Sequence, residues 1–161
     1  MFGGGKTTNK LVKIVPLILA LILTIITVAT IPGTSAYKVK YVQKDNTNHE
    51  LALEDIKLPV SFLSFNIIVL ILTIVTVYIT KIPDVISLIL LVASVVSVAA
   101  SLVTMPGTYS YPIKYVEKDN LDHELKLEDI VYPISFGSSA LFLLVISIIL
   151  NKVFIKSEEN I

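Results

Sequence analysis

The chain contains two histidines, His49 and His123, and each is followed at once by a glutamate, Glu50 or Glu124, with an aspartate, Asp55 or Asp129, close behind. Imidazole nitrogen beside carboxylate oxygen is a donor set for Zn²⁺ or Cu²⁺. His49, Glu50, His123 and Glu124 are therefore the candidate metal site, shared between two halves of the chain. Each half supplies one imidazole, and neighbouring residues of a strand point to opposite faces, which pulls each His away from its Glu. The competing expectation is that His49 and His123 turn to the leucine-bearing face and make a structural hydrogen bond. Apart from this Zn or Cu option no cofactor is expected. With no cysteine, disulfides and thiolate metal sites are excluded.

A second motif, Gly3-Gly4-Gly5-Lys6-Thr7-Thr8, imitates the end of a phosphate-cradling loop. Such a loop needs a strand before it and a soluble helix after it, with the helix N-terminus aimed at the phosphates. Here it runs straight into an apolar stretch. No nucleophile with a base and an orienting group can be assembled either, so an enzyme acting alone is not expected.

The histidines are equivalent because the segment holding them occurs twice. Residues 31–62 and 105–136 align without a gap and share 20 of 32 positions, among them Lys40/Lys114, Lys44/Lys118, Asp45/Asp119, Asn46/Asn120, Glu54/Glu128 and the His, Glu and Asp pairs above. That agreement is a tandem duplication. The apolar runs on either side agree at only a few positions, as expected where greasiness alone is required.

Those runs must position the repeated segments. Hydrophobic residues make up 54% of the chain and mean hydropathy is +0.81, far from the balance of a small soluble domain. Residues 14–37, 58–80, 85–113 and 130–151 carry no charge, and each can supply the run of about 20 residues that crosses a bilayer as a helix. The expected fold class is an all-α membrane protein: four transmembrane helices from two tandem parallel repeats, each with an extracytoplasmic β-hairpin between its helices. A basic lead covers 1–13. Repeat 1 spans 14–80, with helix 14–31, hairpin 32–58 and helix 59–80. A short joint, 81–84, leads to repeat 2 at 85–154, with helix 85–104, hairpin 105–132 and helix 133–151, and a tail follows at 155–161.

Charge sets the orientation. With the N-terminus inside, the short cytoplasmic segments hold Lys6, Lys10, Lys13, Lys81, Lys152 and Lys156 against Asp84, Glu158 and Glu159, while the two long connections carry more acids than lysines. That is the positive-inside pattern, and it puts both termini in the cytoplasm of a cell-membrane protein. The Lys-rich start, apolar run and Thr34-Ser35-Ala36 also imitate a secretory signal. The run is too long for a signal core and Pro-Gly-Thr recurs after an internal span, so a retained helix is expected.

Within each repeat, the alternation of Tyr37, Val39 and Tyr41 with Lys38 and Lys40 predicts a strand, and Gln43 to Asn48 a turn. Leu51 and Leu53 return on the same face as His49. Pro112 cannot donate to a ladder and belongs at an edge or a strand start. Two isolated hairpins are marginal in water, so they are expected to pack on one another.

The spans contain no charge, which counts against an ion-coupled transporter. Asn66, whose equivalent is Ala140, reads as a helix–helix hydrogen bond. Ala93, Ser97 and Ser101, and the patch Gly137 to Ala140, suit close helix contact. The expected function is a non-catalytic integral membrane subunit or scaffold whose partners are the lipid bilayer and other membrane subunits or itself, with no nucleic acid. The alternative is a passive carrier or channel for a neutral solute, lined by Asn66, Thr73, Thr76 and Thr80.

Overall fold

Seven-residue periodicity is written into the spans by their few polar residues. Ser87, Ser94 and Ser101 stand seven apart, as do Asn66 and Thr73, and all five are buried. In the computed structural model, which describes residues 4–79 and 84–159 and the side chains of 10–79 and 84–153, these residues face the axis of a four-helix bundle. The helices are α1 (Gly4–Thr30), α2 (Lys57–Tyr78), α3 (Asp84–Val103) and α4 (Val131–Glu159). Each contains a stretch long and apolar enough to cross a membrane: Lys10–Thr30, Lys57–Tyr78, Asp84–Val103 and Val131–Val153. Together they mark a multi-pass membrane protein.

Buried positions three and four apart continue on every helix, as in Leu17, Ala20, Thr24 and Thr27 of α1 and Ala140, Leu144 and Ser147 of α4. This is the spacing that lets antiparallel helices interlock at a shallow crossing angle. The closest pairs are α1 with α4 and α2 with α3, and α1–α2 and α3–α4 contacts complete the ring. Leu17, Leu70, Leu91 and Leu144, one from each helix, belong to a single packed cluster. At the Lys10 end of the bundle, the Lys10 Nζ donates to the Tyr78 carbonyl at 3.2 Å and sits 5.5 Å from the centre of its ring. Lys13 lies 3.9 Å from Asp84 there.

Several boundaries depart from the sequence reading. The expected basic lead at 1–13 is helical from Gly4, so α1 starts well before Ile14 and carries Pro16 in its interior. Once the apolar run has formed a helix, adding a residue to its end costs little, and a proline is tolerated in such a span because neighbouring groups satisfy the freed carbonyl. At the other end α4 continues to Glu159, into the expected tail. The small patch on α4 splits: Gly137 and Ala140 face inward while Ser138 and Ser139 are exposed. Residues 80–83, including Thr80 and most of the expected joint, lie outside the described residues.

After α1 and α3 the chain turns sharply at Pro-Gly-Thr. Gly33 and Gly107 have φ of +95° and +88°, the left-handed region that ends helices and favours glycine. The following hydroxyls close the helix ends: Thr34 Oγ1 donates to the Ile31 carbonyl at 2.8 Å and Thr108 Oγ1 to the Met105 carbonyl at 2.7 Å.

Four strands follow these turns: β1 (Tyr41–Gln43), β2 (Asn46–Glu50), β3 (Tyr115–Glu117) and β4 (Asn120–Glu124). They are shorter than the alternation starting at Tyr37 suggested. The arm 37–40 leaves the strand and reaches across to the other half, and the turn narrows to Lys44-Asp45. Pro112 lies ahead of β3, where no ladder bond is asked of it. The hairpins join in one antiparallel sheet of order β2-β1-β3-β4, through the pairs Tyr41 with Glu117, Val42 with Val116 and Gln43 with Tyr115.

Candidate functional site

The sheet has two working faces. Toward the bundle, Tyr41 and Tyr115 are buried in a cluster with Ile31, Ile56, Leu63, Met105 and Ile130. Burial pushes both phenol groups up from their ordinary range, so they remain neutral hydroxyls. Each ring leans on the tyrosine of its own arm, Tyr37 on Tyr41 and Tyr111 on Tyr115, with centroids 6.2 Å apart in both pairs.

The arms carry the cross-links between halves. Tyr111 Oη donates to the Asp55 carbonyl at 2.9 Å, and Tyr37 Oη donates to the Asp129 carbonyl at 3.1 Å. Each tyrosine thus fixes the loop of the opposite copy at the residue whose side chain holds that copy's histidine.

His49 Nε2 lies 2.8 Å from Asp55 Oδ1, while Asp55 Oδ2 accepts the Ala52 N–H at 2.9 Å. His123 repeats this with Asp129 at 2.9 Å, and Lys126 N–H completes the second carboxylate at 2.8 Å. The hydrogen bond and charge of Asp55 raise the His49 pKa above its ordinary value, and Asp129 does the same for His123. Burial pulls the Asp55 carboxyl upward, but the Ala52 N–H and the His49 imidazole outweigh it and hold it below the usual carboxylate range. The histidine side chains keep over a third of their surface exposed, so the bond expected of a core histidine is present but at the rim of the core.

Glu50 and Glu124 belong to the other face. Glu50 pairs with Lys40 of its own copy and Lys118 of the other, both at 3.0 Å. Glu124 mirrors it, with Lys114 at 3.1 Å and Lys44 at 2.9 Å. Hydrogen bonds from Lys118 and Lys40 hold Glu50 below its ordinary pKa, and those from Lys44 and Lys114 do so for Glu124. The residues of the candidate metal site are thus drawn to different partners, His to Asp and Glu to lysines. Among the described residues, no three His, Asp or Glu side chains converge as a metal would need. Asp55 and Asp129, the carboxylates that do meet the imidazoles, were foreshadowed only by their recurrence six residues after each histidine.

Beside the sheet lie two recesses of about 840 and 730 Å³, one per copy. Their walls are equivalent: Gly33, Thr34, Val39, Leu51 and Leu53 in one, Gly107, Thr108, Ile113, Leu125 and Leu127 in the other. Both are open grooves with an ion pair on one wall, Lys40–Glu50 or Lys114–Glu124.

Within the bundle, Asn66 Nδ2 donates to Thr24 Oγ1 at 3.1 Å, the helix–helix bond its sequence context suggested. Thr73 Oγ1 donates to its own helix at the Val69 carbonyl, and Thr76 bridges to Ser87 at 3.3 Å. Comparison with protein-family models, with curated proteins and with solved structures returns no match.

Proposed function

We propose that this chain is a non-catalytic scaffold or subunit of a larger membrane assembly, built from two tandem parallel repeats. In this reading both termini are cytoplasmic and the four-stranded sheet stands on the outer side of the cell membrane. The observation that carries it is where the reactive groups are tied up. His49, His123, Glu50 and Glu124 each bond within or between the two copies, in pairs that fasten hairpin to hairpin and loop to strand. Such groups hold a shape and are poorly placed to turn over a substrate.

The bundle supports the same reading. The leucine cluster of Leu17, Leu70, Leu91 and Leu144 fills the axis between the polar layers, and a continuous hydrophilic route would have to pass through it. What the molecule offers to partners is its outside: the edge strands β2 and β4, the two grooves, and apolar helix faces bearing Phe65, Ile68, Ile89 and Phe142. Edge strands accept an added strand, and helix faces accept another span.

Gentle extraction followed by native mass measurement tests the scaffold role. Co-purifying chains, or a defined multiple of this one, are expected. A monodisperse monomer that conducts a neutral solute in proteoliposomes overturns the proposal in favour of a carrier. Orientation is tested separately in this cysteine-free chain by Asn46→Cys and Asn120→Cys, both exposed positions. Both should react with an impermeant thiol reagent on intact cells. Labelling confined to permeabilised cells would invert the topology.

A further inference from the structure

The polar groups in the core fall into two classes when compared across the 74-residue offset between the halves. Thr27 corresponds to Ser101 and Thr73 to Ser147, so those levels are polar in both halves. Thr24, Asn66, Ser94 and Ser97 correspond to Val98, Ala140, Ala20 and Leu23. All four of the polar members are buried, with Thr24, Asn66 and Ser94 wholly so. These four buried polar residues therefore have no polar counterpart in the other half, as is also true of Asn151, which corresponds to Val77.

Two contacts between α2 and α3 bring these residues to one level. Thr76 meets Ser87, and Ser101 donates to the Pro59 carbonyl at 3.1 Å. Counting from the first contact along antiparallel helices, Asn66 stands opposite Ser97; counting from the second, it stands opposite Ser94. On the remaining sides are Thr24, which Asn66 already touches, and the fully buried Ala140, whose small side chain limits crowding.

The bonding at this level is incomplete. Asn66 Nδ2 donates to Thr24 Oγ1, Thr24 donates to the Ala20 carbonyl at 2.8 Å and Ser97 to the Ala93 carbonyl at 2.8 Å. Asn66 Oδ1 and Ser94 Oγ, both on fully buried residues, have no hydrogen-bond partner among the described residues. One is an acceptor and the other a hydroxyl that both donates and accepts. Polar atoms left unpaired in so dry an interior are strongly disfavoured, and a water molecule with two to four polar partners is the usual remedy.

We propose that Thr24, Asn66, Ser94 and Ser97 form an internal binding site for a small neutral hydrogen-bonding molecule, a resident water. It donates to Asn66 Oδ1 and exchanges a bond with Ser94 Oγ, joining α2 to α3 near the middle of the span. Leu70 and Leu91 stand one turn away toward the Lys10 end, on the same helices, and belong to the leucine cluster. The site is therefore closed on that side, and it is a place of residence rather than a passage.

Water-to-protein magnetisation transfer, measured by NMR on the full chain in lipid nanodiscs, tests this directly. Transfer is expected at the Asn66 side-chain amide and the Ser94 backbone amide, with none at Leu70 or Leu91, and it should be lost in Ser94→Ala. Absence of transfer at Asn66 and Ser94 in the unmodified protein overturns the proposal, since the two side chains would then be bonding directly. So does unchanged transfer in Ser94→Ala. Transfer that extends through Leu70 and Leu91 to Thr73 overturns it as well, because it would mean a continuous aqueous path.

Discussion

Val42 stands opposite Val116, the residue 74 positions later in the chain. A strand pair centred on equivalent residues is related to itself by a twofold rotation, as at the interface of a symmetric dimer. The side-chain contacts that the sheet and its arms make between the halves come in mated pairs. Tyr37 to Asp129 answers Tyr111 to Asp55, and Lys44–Glu124 answers Lys118–Glu50. Both valines are buried beneath this charged frame, so the ion pairs surround the contact that joins the halves.

The tyrosine cross-links should be equal in worth. Tyr37→Phe and Tyr111→Phe each remove one hydroxyl-to-carbonyl bond and leave the ring in place, at a cost of about 0.5–1.5 kcal/mol. Equilibrium unfolding in a detergent micelle measures both. A large effect at one position and none at the other would contradict the twofold relationship.

Removing Asp55 is expected to do more. Asp55→Ala strips a partner from His49 and from the Ala52 N–H, which amounts to about 1–3 kcal/mol of stability. The His49 pKa, followed by NMR of its ring protons, should fall toward the ordinary value of about 6.5, while that of His123 stays where it is. A fall in both would mean that the two pairs are coupled across the sheet.

The pH dependence follows from the direction of each shift. The histidine pKa values are raised on folding, so their contribution is complete below the unfolded value of about 6.5 and fades as pH rises through the folded value. Glu50, Glu124 and Asp55 are lowered, so theirs is complete above about pH 4.3 and fades as pH falls through the folded values. Melting temperature in nanodiscs should therefore peak on the mildly acidic side of neutrality. Replacing both histidines by glutamine should flatten the alkaline limb and leave the acidic one.

Glycine substitutions should separate strain from crowding. At Gly33 an added Cβ meets a left-handed backbone and lies 3.1 Å from Leu51 Cγ, so Gly33→Ala should cost about 1–3 kcal/mol. At Gly137 the added Cβ would lie 2.5 Å from Leu102 Cδ2, the end of a flexible side chain in a helix that needs no special backbone. Gly137→Ala should be mild, and Gly137→Leu should cost about 1–3 kcal/mol through overpacking between α3 and α4. Thermal melts of the three variants decide it. Equal losses for Gly33→Ala and Gly137→Ala would show that φ is not what demands glycine at the turn.

The four spans were legible from charge-free runs alone, because a bilayer asks only for length and apolarity. Pro-Gly-Thr was legible as a repeated motif, and the structure puts it just past both helix ends, where a left-handed backbone favours glycine. The sequence also contained the inward faces in Ser87, Ser94 and Ser101, although a run of leucine, isoleucine and valine on every side hides which face packs. Only the tertiary structure decided which groups meet. His49 and Glu50 are neighbours in the chain, but a strand sends them to opposite faces, one to Asp55 and the other to lysines from both copies. Nothing local encodes that Lys118 reaches Glu50 or that Tyr111 reaches the Asp55 carbonyl; both depend on the β1–β3 register, which exists only when two hairpins far apart in sequence are brought together above the bundle.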